Sequence, residues 1–147
     1  MNKGLVRGFT GTPAYTASNP NFSGNQTISA AGSSGAESVI PGMMLSVGTV
    51  TPGAIVDITI DLWEAMNQSG AAKASTARLR RDGLGGEVLG SHNFTDAGDS
   101  TGGHQQEWSF TLTDRAGSSG IYVVTIQATS NSPQITSDTR VFSLYVH

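Results

Sequence analysis

From residue 37 onward, apolar residues recur at every second position. The clearest run is AIVDITIDLW (54–63), with Val56, Ile58, Ile60 and Leu62 on one side and Asp57, Thr59 and Asp61 on the other. A period of two with one apolar side marks a strand that buries one face and wets the other, as in an antiparallel sheet. MMLSVGTV (43–50) reads as the strand before it, and Thr51-Pro52-Gly53 as the turn between them. STARLRRD (75–82) sets Ala77 and Leu79 against Arg78 and Arg80, and a turn with a short strand around Val88 and Leu89 follows. Trp108, Phe110 and Leu112 alternate with Glu107, Ser109 and Thr111, giving a strand with a heavy aromatic face. Two strands close the chain: Tyr122, Val124 and Ile126 alternate with Val123, Thr125 and Gln127, and Phe142, Leu144 and Val146 with Val141, Ser143 and Tyr145.

Two stretches break this rhythm. EAMNQSGAAKA (64–74) predicts a loop or a single helical turn, and residues 91–104 predict a long polar loop. Seven or eight short strands with turns between them, and no alternation of strand with helix, predict an all-β fold. The expected architecture is an antiparallel jelly-roll-type β-sandwich over residues 37–147. Residues 1–36 differ: apolar residues are single and aperiodic among Gly, Ser, Asn, Thr and Pro. Such a segment buries no core of its own. It is expected to be an extended N-terminal arm that lies against its own oligomer or a larger assembly. Leu5, Val6, Phe9, Tyr15 and Phe22 are its candidate anchoring residues.

The closing strands carry apolar or β-branched residues on both sides, and a strand apolar on both sides is normally covered on both. The sequence therefore predicts that Val123, Thr125, Val141 and Tyr145 form a second face, buried between copies of the chain.

Composition narrows the function. Charged residues are 13% of the chain, about half the usual share, and glycine reaches 19 of 147 residues, which suits turns better than catalysis. A net charge of −3 argues against a nucleic-acid partner, which favours a basic surface. The absence of cysteine excludes disulfides, thiolate metal sites and thiol nucleophiles. With no signal-like apolar run near the start, it points to assembly in a reducing cytoplasm. No stretch reaches the ~18 apolar residues of a membrane helix, so no membrane partner is expected.

Candidate chemistry is sparse. His92, His104 and His147 lack metal-ligand spacing and read as loop or terminal residues. Asp57 and Asp61 lie about 13 Å apart by strand rise, too far for a glycosidase pair, and read as a solvated face. DAGDSTGG (96–103) lacks the frame and closing Glu of a calcium loop. No nucleophile elbow or phosphate-binding loop occurs. Arg78, Arg80 and Arg81 form a basic cluster that either pairs with nearby acids or meets an acidic partner. Trp108 is in register with core positions, whereas Trp63 ends its strand. No catalytic residue, metal or cofactor is expected.

Four segments resemble a known group. GAIVDITIDLW (53–63), TARLRRDGLGGEVLG (76–90, with its Leu-Arg-Arg-Asp-Gly run), GIYVVTIQATS (120–130) and TRVFSLYV (139–146) are similar, in this order, to strands of trimeric phage virion proteins. These are small jelly rolls like the tumour-necrosis-factor fold, found on fibre tips, head fibres and capsid decorations. The chain departs from the pattern at Val124, where a second aromatic is frequent, and in its Tyr-Val-His finish. The resemblance implies a homotrimer with a structural or adhesive role and no shared active site. The expected function is a capsid decoration (cement) protein or short head fibre in the virion, anchored through its arm to the major capsid protein or another virion protein. The alternative is a tail or fibre-tip adhesin that binds a host glycan.

Overall fold

The computed structural model describes residues 15–18, 26–27, 35–47, 52–66, 73–96, 104–130, 134–135 and 141–146. The strands are β1 (Tyr15–Ser18), β2 (Gln26–Thr27), β3 (Ser38–Ser46), β4 (Ile55–Met66), β5 (Lys73–Arg81), β6 (Val88–Asp96), β7 (His104–Arg115), β8 (Ile121–Ser130), β9 (Gln134–Ile135) and β10 (Val141–Val146). Every pairing is antiparallel.

The pairing is nested. β5 pairs with β6, β4 with β7, β3 with β8 and β1 with β10. The chain is thus one long antiparallel ribbon with the β5–β6 turn at its tip. Two further pairings, β10 with β4 and β8 with β5, roll the ribbon into two sheets. Sheet A runs β1-β10-β4-β7 and sheet B runs β3-β8-β5-β6. This is a jelly roll. β9 continues the line of β10 along β4, and β2 pairs with β9, so β1 and β2 border the same edge of sheet A.

The alternation explains the core. Val56, Ile58, Ile60 and Leu62 of β4 face inward with Trp108 of β7 and Phe142 and Leu144 of β10. Sheet B answers with Leu45, Ala77, Leu79, Phe94, Tyr122, Val124, Ile126 and Ala128. Period two is broken in β3, where the buried residues Ile40 and Met43 are three apart. The register shifts between Val39 and Met44, and Gly42 takes φ 76°. Pro41-Gly42 supplies this bulge: proline lacks the donor a ladder needs, and glycine tolerates a left-handed backbone.

β6 and β7 border opposite sheets on the same side of the sandwich, and this side is closed by side chains. Gln106 of β7 donates from Nε2 to the Thr95 carbonyl (2.6 Å) and accepts from the Thr95 N–H (3.0 Å), copying a strand pairing across the gap. Beneath it, Phe94, Trp108, Phe110 and His92 form an aromatic group. Gly90 makes room for it: a Cβ there would lie 2.7 Å from Cζ of Phe110.

Two expectations of loops are corrected. Residues 64–66 and 73–74 extend β4 and β5, and residues 91–96 belong to β6. Polar composition misled in both places, because β6 has one solvated face and its inward positions are Gly90, His92 and Phe94. Of the run DAGDSTGG (96–103), Asp96 ends β6 and residues 97–103 lie outside the described residues.

Replacing Gly90 with Ala should destabilise the sandwich by about 1–3 kcal/mol through overpacking. Urea unfolding of Gly90→Ala and of the Gly90→Ala/Phe110→Leu pair checks this. The double variant should recover part of the loss, and a purely backbone effect would leave it unrecovered.

Candidate functional site

A dense polar cluster lies on the outer face of sheet B, where residues 35–37 meet the sandwich. β5 alternates Ala77 and Leu79 inward with Arg78 and Arg80 outward, and both arginines converge on Glu37, just before β3. Arg80 binds the carboxylate through two nitrogens, Nε to Oε1 at 2.7 Å and Nη2 to Oε2 at 2.8 Å. Its Nη1 donates to the Gly86 carbonyl in the β5–β6 turn (2.7 Å). Arg78 approaches the same carboxylate at 3.3 Å and donates to Gln127 Oε1. The Thr125 hydroxyl also donates to Glu37, and Gln127 Nε2 donates to the Gly35 carbonyl (2.9 Å). The Gly35 N–H donates to the Ala128 carbonyl. Residues 35–37 are thereby fastened to β8 and β5. The Arg80 hydrogen bonds hold the Glu37 carboxyl below the usual carboxylate range; Thr125 and Arg78 reinforce this and burial opposes it.

Arg81, one position further along β5, does different work. It pairs with Asp114 of β7 (3.0 Å), donates to the Arg115 carbonyl and pairs with Glu87. The buried Tyr122 donates its hydroxyl to the same Asp114 (3.0 Å), and burial pushes its phenol pKa up. One end of the sandwich is closed by this bridge between the sheets. The neighbouring turn places Asp82 at φ 64°. Its carboxylate accepts from the Ser119 hydroxyl and N–H, which hold its pKa down. The three arginines of the sequence cluster therefore pair with acids of their own chain.

The expected subunit face is corrected by topology. β8 and β10 are not neighbours: β8 lies in sheet B and β10 in sheet A. Val123 and Thr125 face outward on sheet B, yet each is fully buried within one chain. In register, Val123 lies between Met44 and Arg80, and Thr125 between Val39 and Arg78; side chains of opposed residues share a face and cover them. Tyr145 is half-buried on β10, opposite Asp57 of sheet A. Val141 is opposite Asp61 in register, and its side chain lies outside the described residues. The four residues do not make one surface. Within the arm, Leu5, Val6, Phe9 and Phe22 lie outside the described residues, and Tyr15 begins β1, opposite Leu144.

The outer face of sheet A is a polar grid. Tyr145, Asp57 and Thr113 stand side by side across β10, β4 and β7, followed by Ser143, Thr59 and Thr111. Asp61 and Ser109 come next. A shallow hollow of about 230 Å³ lies between Asp57, Thr59, Thr111 and Thr113. The Thr113 hydroxyl donates to Asp57, and Asp61 Oδ1 is buried without a hydrogen-bond donor among the described residues.

His92 is corrected from loop residue to strand residue. It lies on β6, stacked nearly parallel to Trp108 at 6.2 Å and edge-on to Phe94 at 4.7 Å. Burial lowers its pKa, which favours the neutral ring. His104 opens β7, opposite Met66 in register; His147 and the Trp63 side chain lie outside the described residues. Among the described residues no group of three or more His, Asp or Glu is placed to hold a metal ion.

Sequence reasoning missed Glu37 as the focus of the network that gathers Arg78, Arg80 and Thr125. The Arg-x-Arg spacing on the polar side of β5 signals a need for acid, but its partner lies 43 residues away from Arg80. A scan of family models finds no match to this chain, and a search of curated proteins finds none either.

Glu37→Gln should cost about 1–3 kcal/mol at neutral pH, because two partly buried arginines lose their charged partner. The sign follows from the lowered pKa. The carboxylate's contribution is present above the unfolded value near 4.5 and fades as pH falls through the lower folded value. Unfolding midpoints measured from pH 7 to pH 3 should show wild type and Glu37→Gln converging in acid. A constant gap would remove the carboxylate from the account.

Proposed function

We propose that the chain is a structural virion protein: a homotrimeric capsid decoration (cement) protein or short head fibre, held to the capsid by its N-terminal arm. The observation that carries this reading is the combination of the jelly roll with an arm whose root is fastened at Gly35–Glu37. The four segments that resemble phage virion jelly rolls fall on β4, on β5–turn–β6, on β8 and on β10. Folding anchors the root of the arm, while residues 1–14 precede the first strand and are the part offered to the major capsid protein or another virion protein. Three arms on one trimer would act together, so that weak individual contacts sum through effective concentration. The reading assigns the chain no reaction and no cofactor, and places it in the virion after assembly in the host cytoplasm.

The outer grid of sheet A favours a second reading. Hydroxyls and carboxylates spread over a flat face, with Tyr145 at its border, match the hydrogen-bonding groups of a glycan. On that reading the protein is a tail or fibre-tip adhesin.

Light scattering should return three times the 15.2 kDa chain mass, and a monodisperse monomer would sink the trimer. Deleting residues 1–14 should leave the circular dichroism of the sandwich unchanged and abolish binding to capsids that lack this protein. Full occupancy by the truncated chain would overturn the anchoring role. Binding of the purified protein to host cells, with block of infection, would favour the adhesin.

A further inference from the structure

We propose that β1 and β2 are exchanged between copies of this chain, so that in the oligomer the β10–β9 edge of each subunit is bordered by the arm of a neighbouring copy. The inference builds on the oligomeric reading above but does not require three copies.

Three observations support it. First, the arm is held in two separable ways. Its root, Gly35 to Glu37, is bonded to sheet B through Ala128, Gln127, Arg78 and Arg80. Its strands are paired to sheet A, on the other layer. The root can stay in place while the strands change subunit. Second, the strand pairing is short: four residue pairs between β1 and β10 and two between β2 and β9, against twelve between β4 and β7. A contact built on main-chain pairing is reproduced by an identical strand from another chain, which is why exchange of one element between protomers has a low free-energy cost. Third, the reach is sufficient. Because β2 moves with β1, the connecting link is the 8 residue steps from Thr27 to Gly35, which span up to roughly 26–29 Å when extended, about twice the ~15 Å radius of gyration of a domain of this length. Exchange also leaves no copy with a bare β10 edge, whose unpaired donors and acceptors would otherwise invite open-ended association.

The chain has no cysteine, so a pair of introduced thiols reports the connection directly. Thr16 is opposite Ser143, and Ser18 opposite Val141. Opposed residues in antiparallel strands lie within the Cα separation a disulfide needs. The assembled full-length chain carrying Thr16→Cys and Ser143→Cys is oxidised and run on a denaturing, non-reducing gel. Exchange predicts covalent multimers up to the size of the oligomer. It also predicts a covalent heterodimer when a Thr16→Cys chain is co-assembled with a Ser143→Cys chain. A monomer with an internal disulfide overturns the proposal, and so do free thiols that resist oxidation in a folded protein. The Ser18→Cys/Val141→Cys pair repeats the test should the first pair fail to fold. Light scattering of the unmodified chain separates the two readings. A trimer with internal disulfides keeps the trimer and removes the exchange, whereas covalent dimers from a dimeric protein keep the exchange and remove the trimer.

Discussion

The burial of β4 and β8 against each other's layer is the constraint on which the remaining structure depends. Ile58, Ile60 and Leu62 on one side and Tyr122, Val124 and Ile126 on the other belong to a single buried cluster. Each such side chain contributes about 1.5–3 kcal/mol when fully removed from water. Both strands lie in the middle of their sheets, with partners on both edges. β4 takes β7 and β10; β8 takes β3 and β5. Nested pairing with a rolled ribbon gives this arrangement with short connections at the tip and the longest at the chain ends.

Polar groups then decide what the apolar layers leave open. Apolar contact does not choose between ways of closing the ends and sides of a sandwich, whereas directional bonds do. Arg81 and Tyr122 meet at Asp114 and lock one end. Gln106 bridges to Thr95 and locks one side. Glu37 gathers Arg78, Arg80 and Thr125 and fixes where the arm stops and the sandwich begins. Partly buried ion pairs of this kind add little net stability compared with the apolar layers, because desolvation offsets their attraction, but breaking one member leaves the others uncompensated. Their main effect is to fix position, at the end and side of the sandwich and at the Gly35–Glu37 segment.

The outer surfaces divide along the same logic. In sheet B the outward Val123 and Thr125 are fully buried within one chain, between the side chains of β3 and β5. Sheet A keeps short hydroxyl and carboxylate side chains on its outward face, with no such cover over Thr59 and Thr111. Among the described residues, the β10–β9 edge of sheet A is bordered by the two short arm strands.

Much of this was legible in the sequence, and the boundary has a physical cause. Period two settled which residues of each strand face inward, because sidedness is a local property of a pleated backbone. Val56, Ile58, Ile60 and Leu62, then Tyr122, Val124 and Ile126, and the pair Ala77 and Leu79 all lie inward as their alternation requires. The Asp82-Gly83 turn was local too. Which strands lie side by side was not, because main-chain hydrogen bonds carry no residue identity. Only the tertiary structure decided that β8 and β10 occupy different sheets, that Glu37 answers two arginines more than forty residues away, and that His92 stacks on Trp108 instead of lying in a loop. It also decided that the apolar second face of β8 is covered from within. Alternation reports that a residue needs cover; the identity of the cover is fixed only when distant segments meet.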